Sequence, residues 1–154
     1  MFDPKATPNH RFMTLALEQA KRALSLGEIP VGAVIVQNGE VIATGYNRRE
    51  TDQSAVAHAE LLAIQTACEK LGSWRLRNCR LYVTLEPCPM CAGAILNAQL
   101  ERVIFGAYNL QTGCMGSLVN LAELPFNHRP EVYGGVLEEP CQQLMDTFFA
   151  QLRK

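Results

Sequence analysis

Near the start of the chain apolar residues recur at three- and four-residue spacing, at Phe12, Leu15, Ala16, Ala20, Ala23 and Leu24, which predicts an amphipathic helix. Thr7 followed by Pro8 supplies a start and Gly27 a stop. Two β-rich runs come next, 31–36 and 41–46, joined by Asn38-Gly39, a pair that provides the positive φ of a tight hairpin turn. In "HAELLAIQTACEKLG", Leu61, Leu62, Ile64 and Cys68 form an apolar stripe that Gly72 ends, so a second helix begins close to His58. "RLYVTLEP" reads as a buried strand, "CPMCAGAILNAQL" as a helix with Pro89 in its first turn, and "RVIFGAY" as another strand. The pattern then weakens through "NLQTGCMGSLVNLAELPFNHRP", which predicts a loop with a short helix near 117–121. "EVYGGV" is the expected last strand and "EPCQQLMDTFFAQLRK" a terminal helix.

Strands that alternate with helices after an opening hairpin point to a mixed sheet covered on both faces, an α/β sandwich. The 154 residues suit one domain spanning 1–154, and no repeat, linker or low-complexity run divides them. With 48% apolar and 19% charged residues the composition is that of an ordinary globular protein. The apolar segment 12–26 carries Glu18, Lys21 and Arg22, which argues against a signal peptide or a membrane span, so a cytoplasmic location is expected. There the six cysteines stay reduced, and a disulfide scaffold is disfavoured. A net charge of −1 gives no global attraction for a polyanion, so nucleic acid would need local patches. Arg48 with Arg49, and Arg75, Arg77 and Arg80, are the candidates, or else ordinary solvated loop charges.

If Pro89 opens its helix, Cys88 is the cap and Cys91 lies one turn later, with both sulfurs on one side of the helix start. Backbone N–H groups at that end favour thiolates. A C-x-x-C pair alone also serves redox chemistry or fills a core, so further ligands must decide. His58, in "AHAE", sits at another helix start, whereas His10 reads as a surface residue and His128 lies among turn residues. His58, Cys88 and Cys91 would leave a tetrahedral zinc with one position open to water, as catalytic sites do. Cys68 belongs to an apolar stripe, Cys79 precedes a strand and Cys141 opens the last helix; Cys114, in the loop, stays open as a fourth ligand that would make the site structural. Two thiolates weaken the metal as a Lewis acid, so a base must help remove a proton from water, and Glu60 is the candidate. On a regular helix residues i and i+2 point about 200° apart, so His58 must lie at or before the helix start for both to face the metal. A first-turn glutamate that merely complements the helix dipole is the alternative reading.

His58-Ala59-Glu60 followed by Pro87-Cys88-Pro89-Met90-Cys91 matches the H-x-E and P-C-x-x-C signature of the zinc-dependent cytidine deaminase superfamily. Over nearly the whole chain, through "IPVGAVIV", "GYNRRE", "AHAELLAI", "SWRLRNCRLYVTLEPCPMCAGAI", "RVIFGA", "GSLVNL" and "NHRPEV", the sequence resembles that superfamily's bacterial tRNA adenosine deaminase branch. The resemblance implies a three-layer fold with a five-stranded mixed sheet flanked by helices. It also implies one zinc ion per subunit on His58, Cys88 and Cys91, and Glu60 as proton shuttle. The implied reaction is hydrolysis of the wobble adenosine of a tRNA anticodon stem-loop to inosine; a guanine or other free-base deaminase of the same fold is the alternative. By position Asn47 becomes a base-contacting residue, Pro30, Val31 and Ala59 line the base pocket, and Asn109 and Asn127 join the substrate contacts. Phe148 or Phe149 would stack on a neighbouring nucleotide; two consecutive residues cannot share one helix face, so one is expected in the core and one toward substrate. Relatives are homodimers, and the small-residue helix that starts at Cys88 is the expected interface. The chain departs from the common pattern at Asn109 and Gln111, where many relatives carry Asp and Lys.

Overall fold

The Thr7 hydroxyl accepts a hydrogen bond from the His10 N–H, and Pro8 has no N–H to satisfy, so the chain enters α1 (Pro8–Ser25) where the pattern predicts. The computed structural model describes residues 7–153. After α1 come β1 (Gly32–Gln37), β2 (Glu40–Tyr46), α2 (Ala59–Leu71), β3 (Cys79–Leu85), α3 (Pro89–Ala98), β4 (Arg102–Ala107), β5 (Glu131–Tyr133) and α4 (Glu138–Leu152). Asn38 and Gly39 turn the first hairpin at φ of 53° and 79°, as the Asn-Gly pair requires. The sheet order is β2-β1-β3-β4-β5; β1 is antiparallel to both neighbours, whereas β3, β4 and β5 run parallel. The expected five-stranded mixed sheet is therefore present.

Strand alternation divides the core in two. Ala33, Ile35, Leu81, Val83, Val103 and Phe105 face α2 and α3, and Val34, Val36, Tyr82 and Ile104 face α1 and Cys141 of α4. Two glycines let the outer layers close on the sheet. A Cβ at Gly32 would run into the Ala16 carbonyl oxygen and Ala20 nitrogen of α1, and would lie 2.7 Å from Gln19 Cβ. A Cβ at Gly45 would meet the Ala59 carbonyl oxygen and come within 2.9 Å of the Ala63 nitrogen of α2. Both contacts are with helix backbone, which cannot rotate aside. No described helix is long and apolar enough to cross a membrane.

The late segment differs from expectation. Instead of a helix near 117–121 there is a single 3-10 turn, Leu121–Glu123, capped by Asn120. Ser117 is unavailable to start a helix because its N–H and hydroxyl both donate to the Glu86 carboxylate. The last strand is also shorter than "EVYGGV". A Cβ at Gly134 would strike the Phe105 ring, and beyond it the chain follows β4 irregularly, through Gly135 and Val136 N–H groups that donate to Gly106 and Phe105.

Gly32→Ala is expected to lower the unfolding free energy by about 3 kcal/mol, the upper part of the range for overpacking a core. Urea denaturation at constant m-value measures it; a shift of the midpoint too small to resolve would mean that α1 slides on the sheet at no cost.

Candidate active site

α2 and α3 begin at the same end of the sheet, and each start carries a metal-ligand candidate. His58 caps α2 with φ −83° and ψ 151°, and Cys88 caps α3 with φ −75° and ψ 175°. Both caps are extended, and neither side chain is used to cap its own helix. The extended backbone at His58 removes the conflict with Glu60: one residue lies before the helix and the other in its first turn, so both face the same point. Pro89 is the first residue of α3, which puts fully buried Cys91 one turn in.

His58 Nδ1 lies 3.7 Å from Cys88 Sγ and 3.5 Å from Cys91 Sγ, and the three donor atoms all lie within 4.8 Å of one another. In a tetrahedral zinc site, bonds of about 2.0 Å to nitrogen and 2.3 Å to sulfur give an N···S edge of about 3.5 Å. The donor set and its spacing therefore fit zinc. Cys114 is outside this group; its thiol donates to the Thr112 carbonyl at 3.5 Å. The hydrogen bond between the two thiols lowers the Cys88 pKa and raises that of Cys91, and the bond to Cys88 raises the pKa of His58. Cys88 is thus the preferred thiolate of the group. Glu60 is only 4% exposed, and burial pushes its carboxyl pKa up to about 7, where one group can both accept and release a proton near neutrality.

These groups border a cavity of about 460 Å³, within the size range of small-molecule sites. Of the residues singled out from the sequence, Val31, Asn47, Arg49, His58, Ala59, Glu60, Cys88, Asn109, Gln111 and Phe149 line it. Pro30 and Phe148 are buried without lining it, and Asn127 is exposed outside it. The phenylalanine pair divides as expected, Phe148 inward at 8% exposure and Phe149 outward at 40%. Asn47 donates to the Ile29 carbonyl and accepts from the Arg49 N–H, both at 3.1 Å, which leaves one N–H and one lone pair for a ligand. Most of the Asn109 amide is engaged within its loop: Oδ1 accepts from the Gln111 and Thr112 N–H groups, and Nδ2 donates to the Thr112 hydroxyl, which leaves one N–H.

Two further carboxylates went unnoticed in the sequence. Glu28 and Glu86 are each 1% exposed. Glu28 accepts from the Glu50 and Thr51 N–H groups and so fixes the turn that carries Asn47 and Arg49 to the cavity. Burial raises its pKa, but the hydrogen bonds from Thr51 and Glu50 outweigh burial and hold it below the usual range. Glu86 does the same for residues beyond β4. The available signal was a lone acid within two residues of a proline, just before β1 in "GEIPVGAVIV" and just after β3 in "LYVTLEPC".

The fold and the site define a deaminase. The model of the MafB19-like deaminase family matches residues 8–153, and the chain belongs to that family. Within it the chain falls among the tRNA-specific adenosine deaminases: it is 52% identical over 149 residues to the tRNA-specific adenosine deaminase of Bacillus subtilis (strain 168), covering 96% of this chain and 92% of that protein. A solved structure from studies of tRNA:A34 deaminases at the wobble position superposes with a TM-score of 0.84 at 43% identity, over 87% of this chain and 98% of the other. The guanine deaminase of Nitrosomonas europaea shares the fold more distantly, with a TM-score of 0.78 at 25% identity over 94% of this chain and 86% of its own.

Replacing Glu60 separates metal holding from proton transfer. Glu60→Gln is expected to retain metal to within twofold and to lose about 10³-fold in turnover, within the range for a general acid–base group. Cys88→Ala is expected to lose both metal and turnover. Metal analysis alongside ammonia release checks the pair.

Proposed function

We propose that this protein hydrolyses the wobble adenosine of a tRNA anticodon stem-loop to inosine, releasing ammonia. The observation that carries this is the buried Glu60 carboxyl beside the His58, Cys88 and Cys91 donor set, in a chain related over nearly its full length to tRNA-specific adenosine deaminases. A zinc ion on those three ligands, one per subunit, would supply Lewis-acid activation of the attacking water. Glu60 takes one proton from the attacking water as the water oxygen bonds to C6 of adenine and passes it to N1; it then moves the second proton, from the new C6 hydroxyl, to the amine, and the C6–N bond breaks to release ammonia. The balance is adenosine plus water to inosine plus ammonia, and Glu60 ends as it began.

The other residues bind and orient. Asn47 offers its remaining N–H and lone pair to the edge of a flipped purine, while Val31 and Ala59 form an apolar floor. Pro30 and Phe148 act from behind the wall. Phe149 presents a ring for a neighbouring base, Arg49 a cation for a phosphate, and exposed Asn127 a polar contact farther along the RNA.

The chain acts as a homodimer through α3, on this proposal. A Cβ at Gly93 in the middle of that helix would meet nothing within 4 Å, and Leu118 and Val119, just before the 3-10 turn that packs on α3, are 61% and 40% exposed. A cytoplasmic location accords with a tRNA substrate and with the reduced cysteines.

Metal-loaded protein is offered an anticodon stem-loop with a wobble adenosine, and separately free guanine, adenine and cytidine. Inosine in the RNA is expected; ammonia from guanine alone would replace this reading with a free-base deaminase, and no turnover would leave a binding module. Relative to relatives with Asp and Lys at these positions, Asn109 removes a repulsion of the polyanion and Gln111 removes an attraction, so affinity is expected to be similar and less dependent on salt. Stem-loop affinity measured against salt for Asn109→Asp and Gln111→Lys tests this, with steeper slopes expected for the lysine variant.

A further inference from the structure

We infer that Glu86 is a positioning residue whose buried carboxylate fixes residues 109–117 as one wall of the substrate pocket and thereby sets affinity for the RNA around the reacting base. This rests on the function proposed above for the nature of the ligand.

The carboxylate is acceptor-only, and its surroundings consist of donors. Oε1 accepts from the Asn109 N–H at 3.1 Å and from the Ser117 hydroxyl. Oε2 accepts from the Met115 N–H at 3.1 Å and the Ser117 N–H at 2.9 Å. The three N–H groups have no other acceptor among the described residues, and no cation pairs with Glu86 among them. A charge buried without a counter-ion is tolerable only when hydrogen bonds replace its hydration, and here all four come from one loop.

The backbone beside Glu86 grips the same loop. Its own N–H donates to the Ala107 carbonyl, and the next carbonyl, of Pro87, accepts from the Cys114 N–H, both at 2.9 Å. Gly113 lets the loop wrap this closely, since a Cβ there would sit 2.5 Å from the carboxylate carbon and Oε2. The loop in turn sends Asn109, Leu110, Gln111 and Thr112 to the cavity. Leu110, 77% exposed, projects at its mouth, beyond what a free base seated by Glu60 would need. Glu86 precedes Cys88 by two residues, so the wall is registered to the metal ligand through a very short length of chain.

Glutamine is the informative substitution: it keeps the shape but turns an NH2 toward N–H donors, so part of the clamp becomes a donor–donor contact. The metal-loaded protein is compared as wild type, Glu86→Gln and Ser117→Ala. Readouts are KM and kcat on the stem-loop, stem-loop Kd, metal content, and hydrogen exchange of the Asn109, Met115 and Ser117 amides. For Glu86→Gln we expect KM and Kd to rise about tenfold with kcat within about threefold, the pattern of lost uniform binding. Metal content should match wild type and the three amides should exchange faster. Unchanged Kd and KM despite faster exchange would overturn the inference, as would a parallel loss of metal and kcat, which would place the action of Glu86 on Cys88 rather than the loop. Should Glu86→Gln fail to fold, Ser117→Ala, which removes one donor of four, must give the same split at about two- to threefold; no change in its Kd or KM overturns the inference. A wild type that binds the stem-loop without converting it would refute the proposed function and leave Glu86 to be judged on Kd and exchange; a wild type that does not bind it overturns both.

Discussion

Two helices start at one point, and the extended backbone at each start is the constraint on which the site depends. An N-cap residue has strand-like dihedrals while its neighbour is already helical. At His58 this turns two residues two apart in sequence toward one target, which a continuous helix cannot do. At Cys88 it places one sulfur before the helix and, with Pro89 at the first position, the next sulfur one turn later. Helix starts also carry unpaired N–H groups and partial positive charge, which suits a carboxylate and thiolates drawn close together. The sheet makes the convergence possible: Gly45 admits α2 to backbone contact, and the β3-to-α3 connection passes directly through Glu86 and Pro87.

How much of this was legible varied with the range of the interactions. Helix and strand positions followed from local period and punctuation, while residue type and spacing pointed to His58, Cys88 and Cys91 as a donor group but left Cys114 open until the resemblance narrowed the set. The final third was less legible. Ser117 is in a sequence that could start a helix, but the acceptor that claims its N–H and hydroxyl is 31 residues earlier. The resemblance puts Pro30 beside Val31 in the pocket wall, yet Pro30 is buried without lining the cavity, while its neighbours Ile29 and Val31 reach it. A one-residue displacement of this kind depends on how the layers rotate against the sheet, which no local pattern records.

Buried carboxylates were the least visible feature. Glu28 and Glu86 look like ordinary charges beside prolines, and a charged residue in a turn is normally solvated. Each instead supplies acceptors that a tight loop needs: its N–H groups point inward at the cavity wall, away from water and from any strand. Apolar substitutes would leave those donors unpaired, a cost of about 1–3 kcal/mol for each. The two loops so anchored both carry residues that line the cavity, Asn47 and Arg49 on one and Asn109 to Thr112 on the other.

The buried acids Glu28, Glu60 and Glu86 are therefore handled by two different means. The carboxylate oxygens of Glu28 and Glu86 accept hydrogen bonds from loop N–H groups in place of water, whereas burial raises the pKa of Glu60 so that it can carry a proton near neutrality. None of them forms an ion pair with an arginine among the described residues, although Arg49 lies close enough to Glu28 to help hold its pKa down. Arg49, at the rim, is held only loosely by exposed Glu50 at 3.9 Å, a separation at which an exposed pair contributes little. The positive charge at the mouth consequently stays available to a phosphate, even though the chain as a whole is slightly negative. A pocket lined by acids can face a polyanion because the acids are answered from within, by the backbone that they hold in place.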